Sequence, residues 1–457
     1  MRFENESAAI EYIFASINRS AWRERGLDEH TRDVKPTRHL LNLAALPAVR
    51  REYAVVTGSK GKGSVTVMTA NILKHLGHTV GTITSPHLVS YRERIRVNGR
   101  AIPSNDFTRI LSDLAPSIDR VIADLHDAQY LSPTGIFLAM ALRWFDEQGV
   151  TVAVVEVGRG GRYDDNALVP NGLSLFTPII LEHTRYLGST LERIAWHKAG
   201  IIKPHSYAYS LPQAPVVLDV LRREAETVDA QFDWVAHMDM GELIAPTANG
   251  LRMRLGRYGE IELPLMGRYE VENATLAVWG AGNLHARLDG IPHSTPEYSV
   301  GIRRGLETVV WQGRCQRLQT QPDVYIDGAI NPLSAKSFLD SVRDRLQGTV
   351  ILIVAVPTDR DLPGVLRVLL PAAHAVILTG STRNITISFP GVEGTAAAYS
   401  VMLAQDRMLA VYYEPTVVEA LALGRDMAGQ DGTILMAVAQ PAIGDALEAY
   451  GLRYEQI

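Results

Sequence analysis

A chain of 457 residues is too long for one hydrophobic core and fits two or three domains. Its 46% hydrophobic and 21% charged residues exclude a disordered chain, and a net charge of −5 offers no excess for non-specific binding to nucleic acid or anionic lipid. A single cysteine, Cys315, excludes an internal disulfide framework and a Cys-cluster metal site. No apolar run reaches the roughly 18 residues of a membrane helix, and the first residues, acidic from Glu4, lack a secretory h-region. A cytoplasmic protein without a membrane partner is expected.

Residues 7–46 read as helical, with apolar spacing at Ala9, Ile10, Ile13 and Phe14 and again at Leu40, Leu41 and Leu43. A charged, turn-rich loop is expected between them at 25–36. From Tyr53 the pattern changes to a short apolar strand over 53–56, a glycine-rich turn, and a helix over 64–76. Further strands are predicted at 79–83, 152–157, 173–180 and 206–210, with a helix over 135–148. Alternation of this kind implies a mostly parallel sheet covered on both faces. Residues 229–265 carry short alternating pieces and glycine turns, which suggest an antiparallel insert. Strands are then predicted at 324–326, 349–356, 375–378 and 433–438. The chain divides accordingly into domains 1–311 and 312–457, each large enough for a core.

The strongest local signal is Thr57-Gly58-Ser59-Lys60-Gly61-Lys62-Gly63-Ser64, between a predicted strand and a helix. Glycines let a backbone wrap phosphates with its N–H groups, and the following helix presents its positive end. Lys62 would reach the outer phosphates of a nucleotide and the Ser64 hydroxyl would ligate Mg²⁺. Gly63 between lysine and serine departs from the commonest spacing. A turn that merely joins strand to helix is the bland alternative.

At this loop the sequence resembles the Mur ligase superfamily, in its folylpolyglutamate and dihydrofolate synthase branch. Thr84-Ser85-Pro86-His87-Leu88 with Glu93-Arg94-Ile95-Arg96-Val97-Asn98-Gly99 is similar to that branch's second signature. Val155-Glu156-Val157-Gly158-Arg159-Gly160-Gly161-Arg162 resembles the third. His183, Leu187-Gly188, Thr190 and His197-Lys198-Ala199-Gly200-Ile201 resemble the fourth. Gly313-Arg314, Asp327-Gly328-Ala329 and Asn331-Pro332 resemble the entry to the family's last domain. The resemblance implies an α/β protein: a P-loop N-terminal domain with a mostly parallel sheet and a small antiparallel insert, plus a smaller Rossmann-like C-terminal domain. It implies an ADP-forming ligase that activates a carboxylate as an acyl phosphate and joins it to the amine of an amino acid. ATP and Mg²⁺ are the implied cofactors, with Gly58, Ser59, Lys60, Gly61, Lys62, Gly63 and Ser64 around the phosphates. Ser64 and Glu156 would hold one ion; Ser85, His183 and a carbamylated Lys198 would hold a second. Lys62, His183 and Lys198 are thus the catalytic candidates, and Asn273, Arg314 and Asp327 the adenine and ribose candidates. Each of these last three, taken singly, could equally be a structural residue. Carbamylation requires a neutral amine, hence a desolvated lysine with a depressed pKa. The partners expected are small-molecule carboxylate and amino acid substrates, and a monomer is expected.

Four positions depart from the family pattern. Ile330 replaces a histidine, and Ala439-Gln440 replace a glycine–serine pair. The resemblance places the incoming amine near both. Glu182 stands for an aspartate, and Leu131-Ser132-Pro133-Thr134-Gly135 lacks an aromatic–glutamate pair. The phosphate machinery is retained while substrate-facing positions change. Two alternatives follow: a Mur-type ligase for a non-folate acid or a non-glutamate amine, and a non-catalytic nucleotide-binding accessory subunit.

Overall fold

The structure is a computed structural model describing residues 3–18, 26–126, 129–290, 295–384 and 387–457. Met1 and Arg2 of the N-terminal reading, and Arg25 of the predicted 25–36 loop, lie outside these residues. The first sheet contains β1 (Glu52–Thr57), β2 (Val80–Ile83), β3 (Ile95–Val97), β4 (Arg100–Ala101), β5 (Val152–Glu156), β6 (Leu173–Phe176), β7 (Tyr207–Ser210) and β8 (Gln231–Trp234). Their spatial order is β4-β3-β2-β5-β1-β6-β7-β8. The six strands from β2 to β8 in that order run parallel, and β3 and β4 add an antiparallel edge.

The alternation along β1 shows why the sheet is covered on both sides. Tyr53 and Val55 enter one core, with the helices Ser104–Ala123 and Pro133–Glu147. Ala54 and Val56 enter the other, with the helices Lys62–His75 and Glu270–Asp289. Successive strand residues point to opposite faces, so a strand buried twice must be apolar throughout. All five residues of β5 are buried, including its last, Glu156.

Strands β9 (Glu242–Thr247), β10 (Gly250–Arg254) and β11 (Glu260–Leu263) form the small antiparallel insert. The insert is narrower than the predicted 229–265, because β8 joins the parallel sheet beside β7. The predicted 173–180 strand stops at Phe176, since Pro178 has no N–H for the ladder. The predicted 25–36 loop contains a short helix, Asp28–Thr31.

The second sheet comprises β12 (Gln316–Gln319), β13 (Asp323–Asp327), β14 (Val350–Ala355), β15 (Ala375–Leu378), β16 (Ala410–Tyr413) and β17 (Thr433–Val438). They lie in the order β12-β13-β17-β14-β15-β16, and only β12 is antiparallel. The chain then returns to the first sheet. The Ala101 N–H donates to Glu455 O at 2.8 Å and the Ile457 N–H to Gly99 O at 3.0 Å. Buried Arg96 donates to Tyr454 O at 2.8 Å and to Glu455 O at 3.0 Å. No helix among the described residues is long and apolar enough to cross a membrane.

Candidate active site

The loop after β1 can be built only with glycine at two positions. Gly58 has φ +142° and Gly61 φ +86°. A Cβ on Gly58 would lie 1.9 Å from Thr177 Oγ1, and one on Gly61 would lie 2.4 Å from Asn273 Oδ1. Gly61 caps the Lys62–His75 helix, leaving the N–H groups of its first turn directed at the loop. The Ser59 N–H donates to Pro178 O at 2.8 Å, and Ser59 Oγ accepts from Ile180 N at 3.0 Å. The loop is thereby tied to the segment that carries Glu182 and His183.

The charged groups converge on this loop. Lys62 Nζ donates to Gly58 O at 3.1 Å. Ser64 Oγ donates to Glu270 Oε1 at 2.9 Å, and Asn273 Nδ2 donates to Glu270 Oε2 at 2.8 Å. Burial pushes the Glu270 carboxyl up to about 7 despite these two donors. Glu156 ends β5 beside Val56 of β1, and its Oε2 accepts from Ser85 N at 2.9 Å. Burial raises its pKa, and nearby Lys62 opposes the rise.

Lys198 is fully buried, with Nζ donating to Gly58 O at 2.7 Å and to Arg159 O at 2.8 Å. Desolvation lowers its pKa to about 7, helped by the positive charge of Lys62. Glu182 lies between two cations, 3.9 Å from Lys198 Nζ and 3.9 Å from Lys60 Nζ. Burial pushes its carboxyl up, but Lys198, Lys62 and Lys60 outweigh that and hold it below the ordinary range. His183 occupies the left-handed region at φ 52°, and burial lowers its pKa to about 4. Arg159, which supplies a carbonyl to Lys198, is fixed by Asp28 at 2.9 Å and by the Tyr186 ring 3.6 Å beneath its guanidinium.

At the domain junction, Asp327 Oδ2 accepts from Tyr269 Oη at 2.8 Å and from Cys315 N at 2.7 Å. The positive charge of Arg314 opposes the burial that raises the pKa of Glu156, Glu270 and Asp327. Beside it opens a cavity of about 400 Å³ lined by Pro264, Leu265, Val309, Trp311 and Arg314. The Trp311 ring closes on Gly63, where a Cβ would lie 2.8 Å from it.

The structure thus brings Ser85, Glu156, His183, Lys198, Asn273 and Arg314 around the Gly58–Ser64 loop. It gives Asp327 two protein donors on one oxygen. Ile330 is half-buried and packs on the C-terminal core, and Gln440 is half-buried at the start of the last helix. Sequence reasoning missed Glu270 and Trp311 and treated Glu182 only as a departure. Glu270 and Asn273 are three apart on one helix, so their shared face was a usable signal.

A glycine loop between the first parallel strand and its helix, a carboxylate ending the neighbouring strand and a second α/β sheet beyond the junction define a two-domain, P-loop nucleotide-dependent protein. Residues 56–281 match the Mur ligase middle domain and residues 313–439 the Mur ligase glutamate ligase domain. The chain is 31% identical to the dihydrofolate synthase/folylpolyglutamate synthase of Bacillus subtilis, over 70% of this chain and 74% of that one. It is 29% identical to the Mycobacterium tuberculosis protein of the same name, over 89% and 86%. A solved structure of Mycobacterium tuberculosis folylpolyglutamate synthase complexed with ADP and AMPPCP superposes with a TM-score of 0.81 at 26% identity, covering 93% of this chain and 97% of that one. A second, complexed with ADP, gives 0.83 at 25% identity, covering 98% and 100%. The chain belongs to the Mur ligase family, in its folylpolyglutamate/dihydrofolate synthase branch.

Proposed function

We propose that this chain is an ATP-dependent, ADP-forming amide ligase of the folylpolyglutamate/dihydrofolate synthase type. The observation that carries the reading is the meeting of Lys62, Glu156 and the buried Lys198 at one phosphate-type loop, in a chain of this family. A substrate carboxylate attacks the γ-phosphorus of ATP and ADP leaves. The amine of the amino acid then attacks the acyl phosphate carbonyl, losing a proton and expelling phosphate. The loop N–H groups and Lys62 would hold the phosphates, Lys62 exchanging its present carbonyl partners for phosphate oxygens. Arg314 would reach the nucleotide from the junction, and the slot beside Trp311 suits a flat ring.

Oxygen donors with one imidazole suit magnesium: Ser64 and Glu156 would hold one ion, Ser85 and His183 a second. Magnesium supplies neutralisation of phosphate charge when bound. Lys198 supports carbamylation, since a fully buried amine whose desolvation outweighs its carboxylate neighbours can lose its proton and take up CO₂. The carbamate so formed would join the second set, and Asn273 and Asp327 would face the nucleoside.

A second reading, the same chemistry on a non-folate acid or a non-glutamate amine, is favoured by Ile330 and Gln440 in place of polar or small residues. One assay separates the two: ADP release from ATP and Mg²⁺ with dihydropteroate or tetrahydrofolate and L-glutamate, each omitted in turn. Release that needs pterin and glutamate supports the folate-type reading. Release only with another acid or amine supports the second. No ADP under any combination overturns both.

A further inference from the structure

At the opposite end of the two helices that build the site lies a group the reaction does not use. His78 follows the Lys62–His75 helix, and His285 and Asp289 share one face in the last turns of the Glu270–Asp289 helix. His78 Nε2 lies 2.9 Å from His285 Nδ1 and 3.8 Å from Asp289 Oδ2, and His285 Nδ1 lies 3.4 Å from the same oxygen. These three donor atoms form a small triangle. Tetrahedral zinc with bonds of about 2.0–2.1 Å needs ligand atoms about 3.3 Å apart, inside the range of those edges.

The surroundings suit a cation. Both imidazoles are almost fully buried, while Asp289 is partly exposed and leaves a way in. The His285 ring stacks on Tyr298 at 5.4 Å and 26°, which fixes its plane. Both helices direct their negative C-terminal ends toward the cluster. Twelve residues of helix separate Asn273 from His285, so the cluster stands roughly 18 Å from the phosphate loop.

We propose that His78, His285 and Asp289 form a structural site for a zinc-class divalent ion, with water in the fourth position. The two imidazoles select a transition metal over magnesium. The ion replaces the hydrogen bond now shared by the rings, whose proton moves to the far nitrogen of the ring that carries it. Bound there, it ties together the C-terminal ends of two helices whose N-terminal ends carry Lys62, Ser64, Glu270 and Asn273.

The test uses untagged, chelator-treated full-length protein in millimolar Mg²⁺, which occupies oxygen sites in the cleft. Zn²⁺ is titrated by equilibrium dialysis and Co²⁺ by visible absorption. The site predicts one equivalent of Zn²⁺, a higher melting temperature with metal, and the intense bands of four-coordinate Co²⁺. His285→Gln should abolish all three, and Asp289→Asn, at an accessible position that tolerates exchange, should weaken Zn²⁺ binding by about tenfold or more. ATP turnover in Mg²⁺ should persist in Asp289→Asn. Zn²⁺ binding equal in wild type and Asp289→Asn, or Co²⁺ bands absent from wild type, would overturn the proposal.

Discussion

Lys62 holds two loop carbonyls that a nucleotide's phosphates would displace, and Lys60 already leans toward Glu182. Lys62→Ala should therefore lower ADP formation by roughly 10²–10³ while the melting temperature stays near wild type. Normal turnover in that variant would remove Lys62 from the site. Lys198→Ala should be inactive and regain part of its turnover with a short-chain carboxylic acid, which fills the space and returns the negative charge of a carbamate. Failure of acetate and propionate to restore any activity would count against carbamylation.

His87 offers a pH test away from turnover. Burial, with Arg94 and Arg383 adding to it, pushes its pKa down to about 3. Between about 3 and the ordinary 6.5 the unfolded chain binds a proton there that the folded chain does not. Stability is thus lost as pH falls through that window. Melting curves of wild type should drop more steeply than those of His87→Gln from pH 6.5 downward, and parallel curves would show that His87 titrates normally. The motifs made Lys62, Ser64 and Glu156 legible in sequence because their neighbours are local. The Ser64–Glu270 bond spans 206 positions, and no local pattern announces such a contact.

Among the elements, buried strands were the easiest to read, since β5, β14 and β17 are apolar at nearly every residue and can sit only inside a covered sheet. β4, β12 and β16 escaped because short, half-exposed edge strands carry little hydrophobic pattern, and β3 because it is three residues long with Arg96 at its centre. β8 was assigned to the insert because exposed Gln231, Asp233 and Trp234 resemble a solvent-facing hairpin rather than the last strand of a parallel sheet. The loop before the Lys62–His75 helix is the element most open to test. Gly61→Ala adds left-handed strain of about 1–2 kcal/mol and a Cβ directed at Asn273. The expected result is ATP affinity weakened about tenfold or more, measured by calorimetry, with little change in far-UV circular dichroism. Unchanged affinity would mean that the loop relaxes freely away from Asn273.

At the scale of the molecule, the two α/β sheets were visible in sequence as two series of apolar runs separated by the insert, but the return of the chain to β4 was not. It depends on Arg96, whose guanidinium takes carbonyls more than 350 positions away. Arg96→Met would leave Tyr454 O and Glu455 O without that partner, at a cost of about 1–3 kcal/mol. Trypsin should then cut after Arg453 faster than in wild type, read by mass spectrometry. Equal cleavage rates would show that the tail is held by its strand pairing alone.

The tail pairing makes the molecule a closed circuit. One main-chain link between the sheets is covalent, near residue 312, and a second is the hydrogen-bonded return at Gly99–Ala101, with side-chain bonds such as Tyr269–Asp327 and Arg345–Thr247 between them. A pair of bodies joined at one point can swing about it in any direction, whereas a pair joined at two can turn only about the line between the joints. Once the side-chain bonds between the bodies part, any turning of one against the other is confined to the axis between the two main-chain joints, and releasing the tail would restore the lost directions.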